Sequence, residues 1–123
     1  MGIKYDRRTP SGKNQPRSNK AGALLNDFFR LGALDENVER RVIYLTDGEM
    51  ASYFRNPHNG LVGLFDLAQS AQFAIDGSLL APLAKSVKDK IKVPIFPCYA
   101  VGDFARSLSR QHELRVYEVH VVN

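Results

Sequence analysis

Tryptophan is absent from this 123-residue chain, and cysteine occurs once. Cys98 alone can form no internal disulfide and no zinc site built from several cysteines. It fits a reducing compartment, so a cytoplasmic location is expected. Long apolar runs are missing too. The most apolar stretch, Leu61 to Ile75, is too short to span a bilayer and carries Asp66 and Gln69, so no membrane partner is expected. No apolar run follows the first cations, as a secretory leader would need. His58, His112 and His120 include no pair at the spacing of a helical zinc site. Gly12-Lys13 lacks the earlier glycine, the following Ser or Thr and the preceding strand of a phosphate-binding loop.

Anions are scarce where cations are dense. Lys4, Arg7, Arg8, Lys13, Arg17 and Lys20 face a single acid, Asp6, giving residues 1–20 a charge of +5. Residues 21–123 hold eleven cations and twelve anions, so the overall +4 is a basic segment joined to a nearly neutral body. Thr9, Pro10, Ser11, Gly12 and Pro16 leave that segment without apolar periodicity. It cannot bury enough apolar surface to offset its ordering entropy, so residues 1–20 are expected to be a flexible arm. A polyanion suits such an arm, and nucleic acid is the commonest one. Arg7 and Arg8 can bridge phosphates with two hydrogen bonds each, while the lysines act as point charges.

Residues 21–123 are expected to form one globular domain of about a hundred residues, a size at which a modest core closes. Leu24, Leu25, Phe28, Phe29 and Leu31 recur at helical spacing from about Ala21 to Gly32. Asp35 can cap a short second helix to Arg40 or Arg41. Val42 to Thr46 is β-branched and aromatic and stops at Asp47-Gly48, the pattern of a strand. A helical turn or two follows to Phe54, then a loop at Asn56–Gly60. Leu61 to Ile75 reads as a buried helix, and another helix starts at Ser78 or Ala81. Val93 to Val101 is extended but holds Pro94 and Pro97, as an edge strand can. Asp103 can cap a helix to Gln111. Leu114 to Val122 is a strand with Tyr117, Val119 and Val121 on one face and Val116, Glu118 and His120 on the other. Strands separated by helices point to parallel crossovers. The expected fold is a small α/β layer of about three strands with helices packed on the sheet; α+β is the alternative.

Candidate chemistry is limited. Asp47 and Glu49 follow the first strand, and Asp103 follows the second extended segment. If these strands are parallel, their ends meet in one crevice, where three carboxylates can hold Mg2+ for nuclease or phosphotransferase chemistry. Each also has an ordinary role available, as turn, helix-cap or first-turn residue. Glu118 and His120 share a strand face and can act together on a proton. Cys98 beside His112 or His120 would imitate a nucleophile and base, but within an apolar run it reads as a small buried hydrophobe. The reading favoured by composition is a non-enzymatic protein of a nucleoprotein assembly, virion or ribonucleoprotein. Its basic arm, Lys4, Arg7, Arg8, Lys13, Arg17 and Lys20, would bind phosphate backbone or an acidic partner groove, with no cofactor. Its alternatives are the Mg2+-dependent enzyme using Asp47, Glu49 and Asp103, and a protein-interaction module such as a phage-encoded inhibitor or structural adaptor.

Overall fold

The structure, a computed structural model, describes residues 2–6, 16–34 and 39–122. The elements in order are β1 (Gly2–Asp6), α1 (Arg17–Gly32), β2 (Arg41–Asp47), α2 (Gly48–Arg55), α3 (Val62–Phe65), β3 (Gln72–Ile75), α4 (Gly77–Leu80), α5 (Lys85–Lys88), β4 (Cys98–Ser107) and β5 (His112–Val121). The fold is a small mixed α/β one. One five-stranded sheet has the order β1-β2-β5-β4-β3. Among the described strands only β1 and β2 pair in parallel; the β2–β5, β5–β4 and β4–β3 pairs are antiparallel.

α1 forms because its apolar residues fall on one stripe. Leu24, Leu25, Phe28 and Phe29 are all 0–1% exposed. Each such side chain stabilises the fold by about 1.5–3 kcal/mol, an upper estimate because the unfolded chain also hides some surface. The stripe lies on the inner face of the sheet, where Phe28 meets Tyr117 edge-on at 5.6 Å. α2 and α3 pack on the same face: Phe54 lies edge-on to Tyr44 and stacks on Phe65 at 5.0 Å. Alternation in β2 buries Val42, Tyr44 and Thr46, and in β5 Arg115, Tyr117 and Val119. α1, α2 and α3 thus pack on the inner face, while the outward-facing Ile43, Leu114 and Val116 are only part-buried. None of the helices among the described residues is long and apolar enough to cross a membrane.

Several expectations are corrected. The sheet has five strands, not about three, and is mostly antiparallel. Residues 61–75 are not one helix: α3 is a single turn, and the chain then passes a bridge at Gln69 to Gly102 before forming β3. The turn ends at Phe65, and Gln72–Ile75 is extended because it pairs antiparallel with Cys98–Val101, burying Ile75. Asp103 starts no helix. β4 continues through a bulge between Gly102 and Phe104 to Ser107, then turns directly into β5. Gly102 opens the bulge, and a Cβ there would stand 2.2 Å from the Ala68 carbonyl oxygen. Without it, Ser70 N–H reaches the Gly102 carbonyl at 2.7 Å and Gly102 N–H reaches that of Ala71 at 3.0 Å. Pro94 and Pro97 sit just before β4, which begins at the next residue and so keeps its ladder donors.

The expected arm is divided. Gly2–Asp6 is an edge strand paired with Val42–Thr46, and Arg17–Lys20 is the first turn of α1, which begins four residues before Ala21 with Pro16 at its N-cap. Ser18 and Asn19 are therefore helical residues and not the cap. Residues 7–15, with Arg7, Arg8 and Lys13, lie outside the described residues, as do residues 35–38 of the expected second helix.

Candidate anion-binding cleft

The carboxylates Asp47, Glu49 and Asp103 do not converge. Asp47 ends β2 and caps α2, accepting from Met50 N–H at 3.0 Å, and Glu49 is an exposed first-turn residue of that helix. Asp103 lies in the β4 bulge, level with the opposite end of β2, where its carboxylate meets Arg41 Nε at 3.6 Å. Asp47 pairs in register with His112, whereas the bulge lies between the partners of Val116 and Tyr117. At ~3.3 Å per strand residue that offset is roughly 15 Å. The expectation failed because Gly102-Asp103 is a bulge inside a long strand and not a strand end. Among the described residues no three His, Cys, Asp or Glu side chains are grouped to hold a metal ion.

Cys98 and His120 face opposite sides of the sheet. Cys98 is 1% exposed on the inner face, its thiol donating to the Phe28 carbonyl at 3.8 Å, and burial pushes its pKa up to about 12. Glu118 and His120 do meet on the outer face, with Oε2 to Nε2 at 3.1 Å, and Tyr99 stacks on the imidazole at 5.4 Å. The hydrogen bond from His120, then that from Arg41, holds the Glu118 carboxyl below the ordinary range.

A second ionic group was not anticipated. Glu113 accepts from Arg55 at 2.7 Å through both carboxylate oxygens and from Arg115 at 3.0 Å. Arg115 is 6% exposed; its Nε donates to the Phe65 carbonyl at 2.8 Å and its guanidinium covers the Phe65 ring at 4.4 Å. The Arg55 hydrogen bond is the main cause that holds Glu113 below the usual carboxylate range. These contacts fasten α3 to β5. Glu113 and Arg115 stand two apart on one strand face, the same signal that revealed Glu118 and His120.

The basic residues lead to a different place. Arg17 and Ser18 at the start of α1, with Ser52, Tyr53, Asn56 and Asn59 beyond the end of β2, line a polar cleft of about 510 Å³. In a parallel β–α–β unit the crossover helix starts near the carboxyl ends of its strands, which is why α1 begins beside α2. The lining is rich in donors. Ser18 accepts from the Ser86 hydroxyl at 2.6 Å and keeps its own proton to donate. Asn56 Oδ1 accepts from His58 N–H at 3.0 Å, so its remaining polar group is the NH2. Asn59 is fixed by donating to the Tyr53 carbonyl at 2.8 Å. Burial pushes the Tyr53 phenol up, partly opposed by Arg17, which leaves it a neutral O–H donor. None of the six lining residues is acidic, and the first turn of α1 holds no acid and no side-chain cap. Arg17 therefore borders the cleft and Lys20 follows it by one turn, while Lys4 lies in the middle of β1.

Fold and cleft together define a small mixed α/β protein with a donor-rich site that holds no carboxylate among its described lining residues. No family model, curated protein or solved structure matches the chain.

Proposed function

We propose that this protein is a non-enzymatic binder of nucleic-acid phosphate backbone, acting within a nucleoprotein assembly. The cleft at the start of α1 seats a phosphate, and the cations of residues 1–20 extend the contact. The observation that carries this reading is the coincidence of two features. The segment holding +5 runs from β1 into α1 at Arg17, and the cleft there offers donors from Arg17, Ser18, Tyr53 and Asn56 with no carboxylate among its described lining residues. The uncapped start of α1 adds the positive end of a sixteen-residue helix. An anion is the ligand that such a lining satisfies, and Tyr53 adds a ring on which a base can stack. Backbone contacts of this kind are blind to sequence, so a run of phosphates is a better match than one particular base.

The test is binding to a fluorescent oligonucleotide across a salt series. Replacing Arg7, Arg8, Lys13 and Arg17 with Gln removes up to four phosphate contacts. The slope of log affinity against log salt is expected to become shallower by about three units. A variant with Lys85→Gln and Lys88→Gln, whose side chains point to solvent from α5, is expected to leave the slope unchanged. Parent-like salt dependence in the fourfold variant would refute the proposal.

A further inference from the structure

The outer face of the sheet carries an apolar centre and oppositely charged ends. Alternation turns Leu114, Val116 and Glu118 away from the buried Arg115, Tyr117 and Val119. Register places Phe104 beside Val116 and Arg106 beside Leu114 on the same outer side, with Ile43 opposite Val116 from β2. Phe104 is 48% exposed. At one end of this centre Arg41 is surrounded by Glu39 at 2.9 Å, Glu118 at 3.5 Å and Asp103 at 3.6 Å, leaving a surplus of two negative charges. The other end presents exposed Arg106, and exposed Arg110 follows in the hairpin turn.

We infer that this face is a two-fold interface between two copies of the chain. Glu118 stands two residues from Val116 in one direction along β5, and Leu114, paired with Arg106, stands two residues away in the other. A two-fold axis lying between the sheets and crossing the strands at Val116 sets Glu118 of each copy over Leu114 of the other, one strand spacing of about 4.8 Å from Arg106 and within reach of its long side chain. The same operation stacks the Ile43, Val116 and Phe104 surfaces on themselves. This complementarity of the face with its own inverse selects a second copy over an unrelated partner, and an isologous contact closes as a dimer. Two sheets packed this way stand about 10 Å apart, with their side chains interdigitated. The inference does not depend on the anion-binding reading, because the cleft lies on the helical layer.

Sedimentation equilibrium of the full chain over a concentration series tests it. The parent is expected to dimerise, and Val116→Lys to be monomeric with an unchanged far-UV circular dichroism spectrum. Glu118→Arg and Arg106→Glu are each expected to weaken association on the order of tenfold, since symmetry repeats each change twice. The double exchange is expected to restore most of that loss, a result that does not depend on how Val116→Lys folds. A parent that stays monomeric throughout would overturn the inference. So would a double exchange no tighter than either single change, or a monomer that uses this face only for another protein.

Discussion

Arg115→Ala is expected to unfold this protein at a markedly lower temperature, although Arg115 does not line the cleft at the start of α1. Its side chain is 7% exposed and makes four polar contacts: the Phe65 carbonyl at 2.8 Å, Glu113 at 3.0 Å, the Leu114 carbonyl at 3.1 Å and Asp66 at 3.4 Å. Truncation orphans few groups completely, because Arg55 still holds Glu113 and Tyr117 still reaches the Phe65 carbonyl at 3.4 Å. The loss is then about 2 kcal/mol for charged hydrogen bonds and about 1 kcal/mol for the cation–ring contact. Unfolding entropy of ~2.1 cal/mol/K per residue over 123 residues converts a loss of about 3 kcal/mol into a fall of about 12 °C in Tm. Arg55→Ala removes a side chain 46% exposed and is expected to cost only about 0.5–1 kcal/mol. Paired thermal and urea denaturation of both variants measures the difference. The pH dependence has a definite sign. Glu113 is held below its unfolded value, so its contribution is present above about pH 4.3 and fades as pH falls through the lowered folded value. Both variants are expected to flatten that acid limb. An Arg115→Ala protein no less stable than Arg55→Ala would refute the reasoning.

Two further outcomes follow from close packing and burial. Gly22→Ala is expected to destabilise by several kcal/mol, because a Cβ there would stand 2.1 Å from the Val87 carbonyl oxygen and force α1 from α5; a parent-like urea midpoint would contradict it. Cys98 is expected to resist a thiol reagent at neutral pH until the chain unfolds, since it is 1% exposed with its pKa raised to about 12; fast labelling of the native protein would contradict it.

The parts legible in the sequence were those with a single dominant period. The Leu24–Leu31 stripe, the β-branched Val42–Thr46 run and the alternation of Leu114–Val122 each specified their element. Leu61–Ile75 was not legible, because an apolar run of that length suits a buried helix or a turn and strand equally, and contact with β4 decides. Gly102-Asp103 resembled a strand end because glycine both ends strands and permits bulges, and only the approach of residues 68–71 distinguishes the two. That error carried the carboxylate triad with it. The cleft was half legible. Arg17 stands out in the sequence by its charge, whereas Ser52, Tyr53, Asn56 and Asn59 are unremarkable there and gain meaning only when α2 is laid beside the start of α1. Deleting residues 2–20 would remove β1 and the first turn of α1 with the cations, so charge substitution is the cleaner perturbation.

The most direct measurement is a map of backbone amide chemical shifts as a short oligonucleotide is titrated into the 15N-labelled chain. Perturbations are expected to concentrate at Arg17–Lys20 and at Ser52–Asn59, and to be reversed by salt. Perturbations confined to the outer sheet face or to the Arg106–Arg110 hairpin, or none at saturating oligonucleotide, would contradict the claim that phosphate is held at the start of α1.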